Sequence, residues 1–359
     1  MGWKKMNHRL TADNQRGAVA VLVGLMLALF VGVTALAVDV GYMMVVKNEL
    51  QNVADASALA ACGLLGNQYG NEQPVDRAAI RQRAIDAASA NRAGNVNITL
   101  LGADIEIGTW DQNRTPPFES VSANPPNAVR VITRRDASAN NPITLFFARI
   151  FGIQDTPVQA FATAALTGQS TAGEGGLPVP VGISRAWFDN QPLFNFCNQP
   201  IRFYPTNDPT SCAGWHVFDR YSNFNDVGLR RTIGDLRTGT YESPEVTAGG
   251  DQFEFGGGTM STHTFDAMLQ LFQANLNLDL NNDGTLDAWE AAVPVYESSD
   301  CSNPQGEITI VGFATIVITG VQSSPVHQID GYVLCNTFEP ARGGGNNYGT
   351  MGTIPGLVQ

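Results

Sequence analysis

The sequence predicts an α+β protein: an N-terminal transmembrane helix continuing into a long projecting helix, then a small α/β layer, then a β-rich C-terminal domain. A charge-free apolar run from Gly17 to Val38 leads into an alanine-rich stretch with helical spacing. A segment of small and polar residues, 167–176, then precedes a section that is richer in aromatic residues. The stretch ITIVGFATIVIT, residues 308–319, is strand-like and is followed by a turn-rich sequence and a second such stretch.

The composition is acidic. The 359-residue chain carries 21 Lys and Arg against 33 Asp and Glu, which gives a net charge of −12. Nucleic-acid binding depends on a basic surface that displaces counterions, so no nucleic-acid partner is expected. Apolar residues make up 43% of the chain, enough to fill a sizeable core and to exclude wholesale disorder.

The run from Gly17 to Val38 is long enough to cross a bilayer. A helix of this length covers about 33 Å, and the hydrocarbon core of a membrane is about 30 Å thick. Basic residues precede the run, and Asp39 follows it directly; the basic residues are Lys4, Lys5, Arg9 and Arg16. By the positive-inside rule, residues 1–16 are predicted to be cytoplasmic, residues 17–38 to span the membrane, and the remainder to be exported.

The helix is predicted to continue beyond Asp39. Mostly small residues recur at spacings of three and four, and no proline lies between Gly17 and Gly63. We call this pattern the small-residue stripe; it consists of Val46, Leu50, Val53, Ala54, Ser57 and Ala61. Small residues allow another helix or a sheet to approach closely, so self-association through the N-terminal helix is one expected use of the stripe.

Three short motifs accompany the run and the stripe. Arg16-Gly17 opens the run, Ala37-Val38-Asp39-Val40-Gly41 closes it, and Leu50-Gln51-Asn52 leads into Ala54-Asp55-Ala56-Ser57-Ala58-Leu59-Ala60. This combination resembles the N-terminal segment of TadG-like proteins, which belong to the tight-adherence (Tad/Flp) pilus assembly systems of bacteria. The resemblance implies a non-enzymatic protein of the bacterial inner membrane that assists assembly or anchoring of an adhesive pilus. Its expected partners are other pilus assembly or secretion proteins.

Two other interpretations of the run stay open. Ala35-Leu36-Ala37 has the small-x-small pattern of a leader-peptidase site, although the run is longer than the usual apolar region of a signal peptide. A processed pilin has a similar layout but usually carries Glu five residues after the cleaved glycine. Counted from Gly17, that position is Leu22, which favours a permanent anchor.

The exported part is predicted to contain two domains. Residues 39–166 are expected to hold the projecting helix and a membrane-proximal α/β domain, with a helix at 74–91, strands at 96–101, 104–110, 128–133 and 158–166, and a short helix at 144–151. Residues 167–176 are predicted to be a flexible linker, 177–340 a β-rich exported domain, and 341–359 a flexible tail. Residues 308–319 and 326–335 are expected to form an antiparallel pair.

Four of the five cysteines lie in the predicted C-terminal domain: Cys197, Cys212, Cys301 and Cys335. Outside the cytoplasm they can form two disulfides, and nearest-neighbour pairing, Cys197 with Cys212 and Cys301 with Cys335, is the simplest of the three connectivities. Buried unpaired thiols are the alternative. Cys62, in the alanine-rich helix, is predicted to be a packing residue.

The segment DLNNDGTLDAWE, residues 279–290, matches the EF-hand loop pattern and completes the predicted fold class with an EF-hand-like loop. Ca²⁺ prefers about six to eight oxygen ligands, and the predicted ligands here are Asp279, Asn281, Asp283, the Thr285 carbonyl, Asp287 and Glu290. The entering helix is predicted from Phe265, Met268, Leu269 and Phe272, and Pro294 leaves room for only a short exiting helix. Since no second loop is present, a single structural calcium site is expected. An Asp/Asn-rich turn without metal is the alternative.

The sequence contains no recognisable catalytic motif. The four histidines are scattered without ligand spacing, and neither a GxSxG elbow nor a CxxC pair occurs, so an enzyme is not predicted. Besides pilus assembly, the alternatives are a calcium-stabilised surface adhesin, a minor pilus subunit, and a secreted hydrolase that uses carboxylates.

Overall fold

The structure, a computed structural model, describes residues 12–120, 125–190, 196–204, 212–258 and 260–358, with only the backbone described at 12–18 and 204. Residues 1–11, most of the predicted cytoplasmic segment, lie outside the described residues.

The helices begin with α1, a single 59-residue helix from Ala12 to Gly70. This confirms that the apolar run continues past Asp39 as one helix. The other helices are α2 (Arg77–Ser89), α3 (Arg185–Asp189), α4 (Asp226–Thr238) and α5 (Thr262–Ala274), with 3₁₀ turns at Gly102–Asp104 and Ala148–Phe151. Side-chain oxygens of Ser184, Asn225 and Ser261 accept backbone N–H hydrogen bonds in the first turns of α3, α4 and α5, which explains where these helices begin.

The strands of the first half are β1 (Arg92–Ala93), β2 (Val96–Asn97), β3 (Ile105–Trp110), β4 (Phe118–Ser120), β5 (Ala128–Arg135), β6 (Ile143–Thr144), β7 (Asp155–Thr156) and β8 (Val158–Ala165). Those of the second half are β9 (Thr171–Ala172), β10 (Val181–Ser184), β11 (Pro200–Tyr204), β12 (Ala213–His216), β13 (Val246–Thr247), β14 (Gln252–Gly256), β15 (Trp289–Tyr296), β16 (Gly306–Gln322), β17 (Gln328–Val333), β18 (Thr337–Arg342), β19 (Thr350–Ile354) and β20 (Gly356–Leu357). A five-stranded sheet has the order β20-β8-β5-β3-β4, and the predicted strands 104–110, 128–133 and 158–166 correspond to β3, β5 and β8.

The chain divides into two compact units. The first comprises Met1–Ser57, Ala84–Ile105 and Val131–Ala162, and the second Ala58–Arg83, Glu106–Arg130 and Thr163–Gln359.

The first unit packs strands against the part of α1 that follows the apolar run. Val46 and Leu50 are fully buried, and the Thr133 hydroxyl of β5 lies 2.9 Å from the Leu50 carbonyl oxygen. At Gly94 a Cβ atom would lie 3.2 Å from a methyl carbon of Val46, so this turn approaches α1 closely. The small-residue stripe is therefore covered by strands of the same chain. These strands use the close approach to α1 that small side chains allow.

The second unit is built on a closed ring of strands. The long strand β16 pairs through Gly306–Thr309 with β14 and through Ile310–Ile318 with β15. β14 pairs with β12, β12 with β10, and β10 with β15, which closes the ring; β17 and β11 extend the sheet from β16. The β16–β17 pair is antiparallel, which confirms the predicted pairing of 308–319 with 326–335. Buried aromatic and aliphatic residues such as Trp215, Phe265 and Ile316 fill the core between this sheet and helices α4 and α5.

Two disulfides join elements of the second unit, and the predicted nearest-neighbour pairing is wrong. The bonds are Cys197–Cys335 and Cys212–Cys301. Cys197 precedes β11 and Cys335 follows β17, and these two strands are antiparallel neighbours. Ser184 brings the other pair together, because its N–H donates to the Cys212 carbonyl and its hydroxyl donates to the Asp300 carbonyl. Strand neighbours in space, rather than in sequence, decide the connectivity.

Three further expectations differ from the structure. We call the EF-hand-like segment, residues 279–290, the acidic loop. Where a short exiting helix was expected, the structure has the strand β15, whose buried residues Trp289, Ala291, Val293 and Val295 alternate as a strand requires. The segment predicted as a flexible linker, 167–176, contains β9, which pairs with β13. The segment predicted as a flexible tail, 341–359, contains β19 and β20.

Candidate functional site

The apolar half of α1 is uncovered by the rest of the described chain. From Val19 to Val38 every side chain is exposed except that of Ala35, which is half-buried, and Leu25 and Phe30 are each 68% exposed. Within the described residues, α1 is the one helix that is long and apolar enough to cross a membrane. A water-exposed surface of this kind is unfavourable by roughly 25 cal/mol per Å² of apolar area, so the run requires an apolar surrounding.

The second half of α1 has the opposite environment. Its inward-facing residues are each at most 2% exposed. They are Val46, Leu50, Val53, Ala54, Ser57, Ala58, Ala61, Cys62 and Leu65. Cys62 forms no disulfide, and burial raises the pKa of its thiol while backbone hydrogen bonds at Val129 and Leu166 oppose that rise. The expectation that Cys62 is a packing residue is confirmed.

Asp39 lies at the change between these two environments. Its carboxylate is 2% exposed and accepts backbone N–H hydrogen bonds from Phe146, Phe147 and Ala148 at 2.7–3.0 Å. Burial raises the pKa of this carboxyl, but the three hydrogen bonds outweigh burial and lower the pKa below its ordinary value. The sequence showed only that an acid follows the apolar run; its partners lie more than a hundred positions away, and no local pattern indicates them.

The acidic loop is closed at its base by backbone pairing between Leu278 and Ala288. Asp279 accepts the N–H groups of Asp283 and Gly284, at 3.2 and 2.8 Å from its two carboxylate oxygens. Asp283 in turn accepts the Thr285 N–H at 2.8 Å, and this bond lowers its pKa together with those from the Thr285 hydroxyl and Asn281, against the opposing effect of burial. Gly284, at φ 87°, adopts the left-handed conformation that its position in the motif predicts.

The other two predicted carboxylates differ in position: Asp287 bonds within the loop, whereas Glu290 lies in a strand. The Asp287 carboxylate accepts the Leu280 N–H at 3.0 Å, while Glu290 is a residue of β15, whose backbone is held by Asn277. Burial and the Glu72 carboxylate raise the pKa of Glu290, and burial and Glu290 raise that of Glu339. Among the described residues, no three Asp, Glu, His or Cys side chains are grouped as a metal site. Asp279 and Asp283 thus bind backbone N–H groups of the loop, and Glu290 belongs to the sheet.

A cavity of about 1010 Å³ lies in the second unit and was not predicted. Aromatic and amide side chains line it, including Trp110, Phe188, Tyr348, Asn346 and Asn347. Trp110 ends β3, Phe188 lies in α3, and residues 346–348 follow the three glycines 343–345, so only the tertiary fold assembles them.

These features define a class of protein: a folded body that is continuous with a single helix able to cross a membrane. Residues 17–71 match the family model described as Flp pilus-assembly TadE/G-like, and residues 60–164 match the one described as Tad-like Flp pilus-assembly. Residues 17–164 are thus similar to Tad pilus-assembly proteins of the TadE/G-like kind, which confirms the resemblance seen in the N-terminal motifs. Both descriptions concern pilus assembly, and neither describes an enzyme. No curated protein and no solved structure matches the chain.

Proposed function

We propose that this protein is a single-pass anchor of the bacterial inner membrane that assists assembly or anchoring of a Tad/Flp-type adhesive pilus. The observation that carries the proposal is α1, whose exposed apolar half and buried second half form one uninterrupted helix. The family matches support a role alongside other pilus assembly components.

The orientation follows from charge and cysteine chemistry. Four basic residues precede the apolar run, which favours a cytoplasmic N-terminus. Disulfides persist outside the reducing cytoplasm, and the pairs Cys197–Cys335 and Cys212–Cys301 support export of the body to the periplasm or cell surface.

The test is complementation of a deletion strain that carries a Tad pilus system. The full chain is expected to restore pili, while a variant with residues 1–38 replaced by a cleaved signal peptide is expected to be exported and to fail. Immunoblotting of the periplasm controls for the amount of the released body. Restoration by the released body would contradict the anchoring role, and recovery of the protein within purified filaments would make it a minor pilus subunit.

A calcium-stabilised surface adhesin is the second candidate, favoured by the acidic loop and by the cavity lined with aromatic and amide side chains. With an affinity near 10⁻⁴–10⁻³ M, as in extracellular modules, Ca²⁺ at about ten times Kd would add about 1.4 kcal/mol of stability. The rise in Tm with Ca²⁺ should disappear in Asp279→Asn and persist in the matched control Asp266→Asn, which lies in α5. An adhesin further predicts that a chelator abolishes surface binding while pili persist, and equal Tm values with and without Ca²⁺ would exclude the calcium site.

A further inference from the structure

The segment that Asp39 binds is an apolar hairpin tip. Strands β6 and β7 pair through Ile143–Thr156 and Thr144–Asp155, and the Leu145 N–H donates to the Gln154 carbonyl, which closes the base of the tip. The tip itself, residues 145–154, contains the 3₁₀ turn Ala148–Phe151, which Gly152 ends at φ 84°.

Four large apolar side chains of the tip are mostly exposed to solvent. Ile150 and Phe151 are each 80% exposed, Phe146 is 62% exposed and Ile153 is 53% exposed. The sequence predicts a short helix over 144–151 that covers strands; the structure has a 3₁₀ turn at Ala148–Phe151 only, and its large side chains are exposed. A folded protein rarely leaves so many large apolar groups together in water, so the tip is suited to an apolar surrounding.

Asp39 fixes the position of the tip along α1. Its three hydrogen bonds hold the backbone of residues 146–148 beside the first residue after the apolar run, and the Tyr42 ring contacts the Phe146 ring edge-on, with centroids 5.4 Å apart. Since a helix rises about 1.5 Å per residue, the start of the tip lies within a few ångströms of the end of the run along the helix axis. That is the level of the lipid headgroups if the run spans the hydrocarbon core.

The charge of the tip also fits a lipid surface. In a chain of net charge −12, residues 137–154 contain no Asp or Glu, and the one charged side chain among them is the exposed Arg149. Aromatic and aliphatic side chains beside a basic residue are typical of segments that lie in the boundary between headgroups and acyl chains, about 5–10 Å deep.

We propose that residues 146–153 insert into the lipid interface of the leaflet from which α1 emerges, giving the body a second contact with the membrane. This inference rests on the membrane anchoring proposed above. The hydrogen bonds of Asp39 couple the two contacts, because the carboxylate that ends the apolar run also holds the backbone that begins the tip. A body held at two points has a fixed height and tilt above the bilayer, whereas one held by a single helix can rotate about it.

The test uses the full chain in vesicles of phosphatidylethanolamine and phosphatidylglycerol, with a nitroxide label on one introduced cysteine. The background is Cys62→Ala, since the other four cysteines form disulfides. The labelled positions are Ile150→Cys in the tip, Val33→Cys in the apolar run and Val227→Cys in α4, where Val227 is an exposed apolar control at 59%. The accessibility of each label to oxygen and to a water-soluble nickel chelate reports whether it lies in lipid or in water.

Labels at 150 and 33 are expected to be accessible to oxygen and protected from nickel, with the opposite result at 227. A label at 150 as accessible to nickel as that at 227 would overturn the proposal while the result at 33 still supports the anchor. Protection of the label at 150 from both reagents would indicate a protein contact, either a second copy or a partner, and would also overturn it. If the label at 33 is exposed to nickel, the anchor itself is refuted.

Discussion

Replacing the cysteines one pair at a time tests which cysteines are bonded and how much each disulfide contributes to the free energy of unfolding. The bonds close sequence separations of 138 residues for Cys197–Cys335 and 89 for Cys212–Cys301. In the chain-entropy model, loops of these lengths contribute about 5.0 and about 4.6 kcal/mol to the free energy of unfolding, against roughly 3 kcal/mol for a 15-residue loop. The Cys212–Cys301 bond is nested inside the Cys197–Cys335 loop and shortens it to about 50 residues, so Cys197→Ser/Cys335→Ser should lose about 4 kcal/mol, measured by urea unfolding of the detergent-solubilised chain.

The single variant Cys335→Ser provides the sharper test of connectivity. It should leave Cys197 as the new free thiol and the Cys212–Cys301 bond intact, because Cys335 is bonded to Cys197. Alkylation without reduction, followed by peptide mass spectrometry, identifies the free thiol. Alkylated Cys301 would show that nearest neighbours in sequence are paired after all and would refute the reasoning from strand adjacency.

The remaining predictions concern the core, the apolar run and the pH dependence of stability. Burial lowers the pKa of His216 to about 3. The His216 side chain therefore stays neutral in the folded protein at pH values at which it is protonated in the unfolded chain. The stability contribution of neutral His216 should be fully present above about pH 7.5 and fall by about 2 kcal/mol by about pH 5, a loss expected to vanish in His216→Phe and to remain in His263→Gln. Leu50→Ala removes a fully buried side chain and should cost about 2–5 kcal/mol, seen as a lower urea midpoint, whereas Val45→Ala, at an exposed position of the same helix, should change it little. Val31→Lys adds a charge to the apolar run at a cost of about 2.5–3.5 kcal/mol and should reduce the membrane fraction on carbonate extraction.

The elements whose sequence signal lies within the element itself, α1, α5 and the β16–β17 pair, were predicted correctly. The uninterrupted α1 follows from an apolar run without proline, and α5 follows from the helical spacing of Phe265, Met268 and Phe272, which are all buried. The β16–β17 pair was likewise predicted, because two apolar stretches are separated by a short turn sequence.

Features set by distant residues were missed or misassigned. Ser184 binds the carbonyl groups of Cys212 and of Asp300, the residue before Cys301, and nothing in the sequence near either cysteine indicates this. The EF-hand pattern describes Asp279 and Gly284 correctly as a turn, but the motif alone does not reveal that Glu290 belongs to a strand of the core sheet. The covering helix predicted over 144–151 would bury Phe151, whereas this side chain is exposed.

The continuity of α1 affects how a pulling force on the protein reaches the membrane. A filament held at the cell surface is pulled by flow, and any component that grips it must pass that pull to the membrane. Asp39 and Leu50 are residues of one hydrogen-bonded helix, so no flexible linker separates the buried part of α1 from the apolar run. Extraction of the apolar run from lipid, rather than extension of a linker, would then limit the force that this protein withstands.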